Sequence, residues 1–457
     1  MTPPWTKEAI FYHIYPLGLC GAPPDNQFND PVIDQINDLR PWVDHLQSLG
    51  CNALYLGPIF QSSSHGYDTV DYYQIDRRLG DLDSMADFAA YVHQRGIKLI
   101  LDGVFNHVGR DFWAFQDVLK HGERSEYRTW FHNLRFGEQS ALGDPFQYEG
   151  WHGHQSLVKL NLFNPDVCAH LFDAVRMWID RFEIEGLRLD AADCIDFEFL
   201  KALRDFTRTY RNNFWLMGEV VHGDYRKWVN PQSLDSVTNY EAYKGLYSSL
   251  QEANYFEIAH SLKRQFGKEG IYRDLQLYNF VDNHDVNRVA SQLDRPTQLF
   301  PLYLLLFTMP GIPSIYYGSE WGIKGEKSDW SDTALRPALQ LTSMVEETAP
   351  LRNLIPYIRQ LATIRHASDG LRYGNYAEVL VDHQQFVFQR QHADETLVVA
   401  LNSAAEKVSI EIPLPWAEGT LVDLLDPSFS CALKPGKTEV DLPATGGRIL
   451  KRREDSL

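Results

Sequence analysis

Eight short apolar runs recur along the chain, at residues 9–16, 52–58, 97–104, 186–191, 214–219, 236–240, 276–282 and 312–317. Each is strand-sized, too short for an ordinary helix, and suited to a strand buried on both faces. Helical patterns fill the intervals. Met85, Phe88, Ala89 and Val92 recur at helical spacing behind Ser84 and stop at Gly96. Val167, Leu171, Ala174, Val175, Trp178, Ile179 and Phe182 form a second stripe, Leu200, Leu203 and Phe206 a third, and residues 351–364 a late one. Parallel strands need crossover connections, usually helices. An eightfold strand–helix alternation therefore predicts an α/β fold, a closed (β/α)8 TIM barrel.

Two stretches break the alternation. Residues 108–160 mix polar and aromatic side chains without a clean period and predict an inserted domain after the third strand. Such an insertion sits at the C-terminal face, where barrel active sites lie. Residues 371–457 alternate with a period of two, as in Gln385-Phe-Val-Phe and Thr396-Leu-Val-Val-Ala, and predict a C-terminal antiparallel β-sandwich domain. The barrel itself is then drawn from residues 1–107 and 161–370.

Charge and cysteine usage narrow the functional classes. The net charge of −18 speaks against nucleic acid or an anionic membrane as partner, since both need clustered Lys and Arg. Residues 296–319 carry no charge, but Pro301, Pro310 and Pro313 interrupt them, so a buried helix followed by a buried strand is expected, with no membrane span. The cysteines (Cys20, Cys51, Cys168, Cys194 and Cys431) are odd in number and widely spaced, which predicts free thiols and neither a disulfide framework nor a zinc site. Residues 1–8 lack a basic start followed by an apolar core, so a cytoplasmic protein is expected.

The acids are the informative feature. Asp102 falls at the end of the third expected strand, Asp190 of the fourth, Glu219 of the fifth, and Asp282 and Asp285 of the seventh. One such acid reads as a solvated loop residue. Four strand ends repeating the pattern read as an active site at the C-terminal mouth. Asp190 and Glu219 end adjacent strands, ~4.8 Å apart, which is close to the ~5 Å carboxyl separation of retaining glycosidases. Arg188 shares a strand face with Asp190 and is expected to hold it ionised as nucleophile. Leu216, Met217 and Val220 flank Glu219, an apolar setting expected to raise its pKa and keep it a general acid.

On these residues the chain resembles the α-amylase family of glycoside hydrolases. Asp102-Gly-Val-Phe-Asn-His107, Gly186-Leu-Arg-Leu-Asp190, Gly218-Glu219-Val220 and Phe280-Val-Asp-Asn-His-Asp285 resemble its four main conserved blocks. Gly311-Ile-Pro-Ser-Ile-Tyr-Tyr-Gly-Ser-Glu320 resembles the strand-eight block, and His65-Gly-Tyr-Asp68 a segment whose Tyr stacks on sugar. The resemblance implies that Asp190 is the nucleophile, Glu219 the acid/base and Asp285 the stabiliser of the transition state. It also implies sugar contacts for Tyr67, Asp68, Asp102, His107, Arg188, His284 and Arg288.

Calcium-dependent relatives carry Lys-His after the nucleophile block, where this chain has Asp193-Cys194. No metal and no cofactor are therefore expected, and activity should survive chelation. Val158-Lys159-Leu160-Asn161 is similar to the form found in neopullulanases and cyclomaltodextrinases. The expected substrate is accordingly a small linear or cyclic maltooligosaccharide cleaved at α-1,4 bonds, compact maltosyl-maltose-type rings included. An α-glucosidase or a transglycosidase on the same scaffold is the alternative. A homodimer stays open as the oligomeric state. The insertion's aromatics (Phe112, Trp113, Phe115, Trp130, Phe131, Phe136, Phe146, Tyr148 and Trp151) are expected mostly to form its core, with two or three left for sugar.

Overall fold

A computed structural model describes residues 2–344 and 351–453. The eight runs form parallel strands β1 (Phe11–Ile14), β2 (Ala53–Leu56), β3 (Lys98–Gly103), β4 (Gly186–Leu189), β5 (Trp215–Gly218), β6 (Ser236–Val237), β7 (Tyr278–Asn279) and β8 (Ile312–Tyr316). Their order is β6-β5-β4-β3-β2-β1-β8-β7. A parallel bridge between Thr238 and Tyr278 joins the two ends of this sheet and closes the barrel. The ladders at β6 and β7 are much shorter than their apolar runs, because side chains take over the bonding there. The Asn239 amide donates to Asn279 Oδ1 at 2.8 Å, and the Asn279 amide donates to the Pro310 carbonyl at 2.8 Å.

The barrel interior fills from below with Phe11, Tyr55, Ile100, Trp215, Met217, Tyr278 and Phe280. These bulky side chains make the lower barrel a packed core, so polar groups collect at the upper mouth. Helices α1 (Arg40–Ser48), α2 (Leu82–Gln94), α3 (Pro165–Phe182), α4 (Phe197–Tyr210), α5 (Tyr240–Gln251), α6 (Phe256–Phe266), α7 (Leu299–Thr308) and α8 (Leu354–Ala367) are among those that surround it. Helix α2 starts two residues before Ser84. Asp81 is its N-cap and Ser84 closes a reciprocal capping box. Asn164 and Asp196 are the N-caps of α3 and α4, their side-chain oxygens accepting from first-turn N–H groups. The apolar stripe of α3 is fully inside, and its Trp178 donates from Nε1 to the Tyr72 carbonyl at 3.0 Å. The uncharged stretch becomes α7 followed by β8, both buried. Among the described residues no helix is long and apolar enough to cross a membrane.

Between β3 and α3 the chain builds a small antiparallel sheet (His107–Gly109, Gly150–Trp151 and His154–Lys159) and a helix at Trp113–His121. Phe112, Phe115, Trp130, Phe131, Phe146 and Tyr148 are buried in that unit, so most of its aromatics are core. Trp151 is half-buried, and its ring centroid lies 5.7 Å from that of His107, next to the barrel mouth.

The chain ends in an antiparallel unit. Strands β9 (Asn375–Val381), β10 (Gln385–His392), β11 (Glu395–Asn402), β12 (Val408–Ile412), β13 (Thr420–Asp423), β14 (Ser430–Ala432), β15 (Thr438–Leu442) and β16 (Gly446–Arg453) split into a six-stranded and a two-stranded sheet. One face of the larger sheet packs on the β12–β15 ribbon through Val387, Val398, Ala400, Val440 and Leu450. The other face, with Phe386, Phe388, Leu397 and Val399, merges into the barrel core. Buried Arg390 ties the junction by donating to the Thr308 and Gly374 carbonyls at 2.6 and 2.9 Å. All five cysteines are free thiols.

Candidate active site

The register of β3, β4 and β5 sets the position of the first acids. Leu189 pairs with Gly103 on one side and with Gly218 on the other, so Asp190 and Glu219 leave neighbouring strands at the same height. The backbone continues the register one residue further, with Asp190 N donating to Gly103 O and Glu219 N to Leu189 O. Ala191 then turns into the left-handed region at φ 44°, a conformation that disfavours a side chain by about 1–2 kcal/mol. That turn aims its N–H at Glu219 Oε2, 3.2 Å away.

Arg188 lies almost wholly buried beneath these groups. Its Nη1 donates to Asp102 Oδ1 at 2.9 Å and to Asp190 Oδ1 at 2.8 Å, and its Nη2 lies 2.8 Å from Glu219 Oε2. One guanidinium thus serves three carboxylates. Burial, followed by the nearby Glu219 and Asp102 carboxylates acting against the Arg188 charge, pushes the Asp190 carboxyl well above the usual range. Arg188 favours the ionised form of Asp190, as expected, but burial outweighs it, helped by the two other carboxylates on the same cation. The Glu219 carboxylate likewise has polar neighbours instead of the expected apolar cage, because Tyr240 also donates to its Oε1 at 3.4 Å.

Asp285 sits across the mouth in a different setting. Asn283 Oδ1 accepts from its backbone N–H at 2.8 Å, fixing the loop beyond β7. Arg336 Nη2 donates to Asp285 Oδ1 at 2.9 Å, and His284 Nε2 lies 2.9 Å from Asp285 Oδ2. Burial works against ionisation here too, but His284, Arg336 and Arg188 outweigh it and hold this carboxyl well below the usual range.

The remaining expected residues divide into those at the mouth and those under it. The Tyr67 ring stacks on His284 with centroids 5.2 Å apart, and its hydroxyl bonds to His284 Nε2. His107 lies 3.8 Å from Asp190 Oδ2, and its buried Nε2 has no partner. Burial lowers its imidazole to about 4, so it is neutral at pH 7 and free to bond a ligand. Asp68 is pinned through Oδ2 by Ser64, at 2.6 Å, while its Oδ1 is buried without a partner.

Asp102 and Arg288 are not brought to the surface of the site. Both oxygens of Asp102 are occupied, by Tyr55 at 2.7 Å, Tyr67 at 3.2 Å and Arg188. It is a floor residue that positions Arg188, not one offered to sugar. Arg288 is fully buried, donates to the Tyr317 carbonyl at 2.6 Å, and lies over the Tyr316 ring with its guanidinium carbon 4.0 Å from the centroid. The segment after β8 covers it. Asp282 is tied down by Ser319 and the Val289 N–H. Sequence reasoning missed Arg336, Tyr240 and Tyr15. No local pattern marks Arg336, which lies 51 residues from Asp285. Tyr240 had a weak signal, since it closes the sixth apolar run.

The residues around Asn106 do not suit calcium. Its Oδ1 is buried and unpartnered, beside a cavity lined by Glu149, Lys159 and Cys194. The Lys159 ammonium already pairs with Glu149 at 2.7 Å, and a thiol is a poor ligand for a cation that wants six to eight oxygens. Among the described residues no group of three or more His, Cys, Asp or Glu could hold a metal.

Residues 26–352 match the family described as alpha amylase, catalytic domain. The chain is 33% identical over 450 residues to neopullulanase 2 of Thermoactinomyces vulgaris, covering 93% of this chain and 74% of that protein. It is 30% identical over 435 residues to a cyclomaltodextrinase of Thermoanaerobacter pseudethanolicus, covering 89% and 72%. The solved structure of the cyclic α-maltosyl-(1→6)-maltose hydrolase of Arthrobacter globiformis superimposes with a TM-score of 0.82 at 26% identity, covering 99% of this chain and 100% of that one.

Proposed function

The chain belongs to the α-amylase family of glycoside hydrolases, and from that premise we propose that it cleaves α-1,4 bonds in small maltooligosaccharides, cyclic ones included, by double displacement. The observation that carries the mechanism is the single Arg188 guanidinium holding Asp190 and Glu219 on adjacent strand tips, with Asp285 across the mouth. Carboxyls this close suit a covalent glycosyl intermediate; a water-mediated inverting pair needs ~6.5–9.5 Å.

In this reading Asp190 attacks the anomeric carbon and Glu219 protonates the leaving oxygen. Asp190 and Glu219 share the Arg188 cation, and burial works against a full charge on Asp190. Glu219 is positioned for the leaving oxygen by the Tyr240 hydroxyl at Oε1 and the Ala191 N–H at Oε2. Asp285, kept ionised by Arg336 and His284, opposes the positive charge that develops on the sugar. His107 donates or accepts at a sugar hydroxyl through its free Nε2. The similarity to a cyclomaltodextrinase and to a ring hydrolase supports cyclic substrates beside linear ones.

The test compares kcat/KM on linear maltooligosaccharides, cyclic maltooligosaccharides and soluble starch, with NMR of the first anomer released. Preference for the small substrates and an α anomer are expected. A preference for starch overturns the substrate class, a β anomer overturns the two-step mechanism, and products longer than the substrate mark a transglycosidase.

A further inference from the structure

Beyond β8 the chain forms a loop bonded to the residues that follow β7, and it carries Trp330. That indole is 94% exposed, far more than any other large apolar side chain among the described residues. Leaving so much apolar surface in water is unfavourable, at roughly 25 cal/mol per Å². The loop nevertheless presents it from a fixed base. Lys327 N donates to Asn287 Oδ1 at 2.7 Å, Gly325 N donates to Ser291 Oγ at 2.9 Å, and Ser331 N donates to Ser328 Oγ at 3.0 Å.

The indole borders a groove of about 680 Å³, which Tyr15, His65, Lys327, Asp332 and Arg336 also line. Arg336 links this groove to the proposed catalytic residues. The same guanidinium group donates to Asp285 Oδ1 at 2.9 Å, donates to Asp332 Oδ2 at 3.1 Å, and lies over the Tyr15 ring with its central carbon 4.7 Å from the centroid. The far end therefore offers an aromatic plane with Lys327, Asp329 and Asp332 around it. A pyranose has one apolar face and a rim of hydroxyls. An exposed indole ringed by polar groups matches both at once.

We infer that Trp330 is a sugar-stacking platform that takes a glucosyl unit of the bound α-glucan remote from the cleaved bond, and so sets the chain length the enzyme prefers. This rests on the reading of the site given above. Trp330 lies outside every sequence block that carries the family resemblance, so it acts as a specificity residue of this chain. Its side chain touches little of the fold, and its replacement leaves the scaffold's packing in place.

The test is the ratio of kcat/KM for maltohexaose to that for maltotriose in the wild type, Trp330→Ala and Trp330→Phe, with tryptophan emission followed during titration with maltohexaose. The wild type is expected to favour the longer chain. Trp330→Ala should lower the ratio about fivefold, mainly through KM, Trp330→Phe should restore most of it, and the sugar-dependent emission change should shrink in both variants. An unaltered ratio in Trp330→Ala, with activity on both sugars, overturns the platform while the catalytic reading stands. Absence of wild-type hydrolysis of either sugar overturns that reading and the platform with it. A loss of self-association in Trp330→Ala at constant ratio assigns the indole to contact between copies and also overturns it.

Discussion

The two sides of the barrel mouth use the same residue type to opposite ends. On the β4–β5 side three carboxylates share the single charge of Arg188, and burial pushes Asp190 upward. On the β7–β8 side Asp285 lies beside His284 and shares Arg336 with Asp332 alone, and it is held low. Both sides are close to the same opening, so depth alone does not separate them. The number of cations per carboxylate does. The double displacement proposed above uses such an asymmetry, with an acid and a nucleophile on one side and a fixed negative charge on the other.

The largest expected effect breaks the β4–β5 side. Asp190→Asn should lower kcat by at least ~10⁴-fold while circular dichroism and melting report an intact fold, because an amide cannot form the glycosyl ester. Glu219→Gln should lose activity on maltooligosaccharides and recover part of it on an α-glycosyl fluoride, whose leaving group needs no protonation. Equal losses on both substrates would remove the acid role.

The next effect concerns the cations. Arg188→Met leaves three buried acids without their shared cation and should cost about 3–5 kcal/mol in urea unfolding. Arg336→Met leaves only Asp285 and Asp332, both part-exposed, and should cost about 1 kcal/mol or less. Similar costs for the two would mean that the two sides are not electrostatically distinct.

Stability against pH should then separate the acids by sign. Asp190 has a raised folded-state pKa, so its contribution is most favourable below its unfolded pKa, about 4, and is lost as pH rises. Asp190→Asn should therefore be more stable than wild type near neutrality, with the gain fading toward pH 4. Asp285 has a depressed pKa, so its contribution is present above about pH 4 and is lost as pH falls. Asp285→Asn should be less stable than wild type at neutrality, with the deficit fading in acid. Thermal melts of both variants from pH 3 to 8 check this, and shifts of the same sign would dissolve the comparison. The smallest effect belongs to Tyr240, whose hydroxyl bond to Glu219 is long at 3.4 Å. Tyr240→Phe should lower kcat about two- to fivefold.

The β4–β5 side was the more legible from sequence. Arg188 and Asp190 lie two apart on one strand, so period alone places them on one face, and adjacent strands bring Glu219 alongside. The β7–β8 side was less so. The run at 276–282 yields only Tyr278–Asn279 as strand, and the chain beyond it is shaped by side-chain bonds such as those of Asn283 and Asp282. Arg288 looked like a sugar ligand by its place near a conserved block, yet the chain following β8 buries it. Arg336, which holds Asp285 low, belongs to that same distant segment and has no local signature.

The sequence by itself determined the eight-strand barrel, the insertion and the β tail, and it placed Asp190 and Glu219 at the ends of adjacent strands and Asp285 beyond the seventh, because side-chain period and the order of apolar runs are properties of neighbours along the chain. Only the tertiary structure decided which acids share a cation, which are covered and which keep a free face. Those depend on distances of a few ångströms between segments far apart in sequence, and both Coulomb energy and desolvation change steeply over that range.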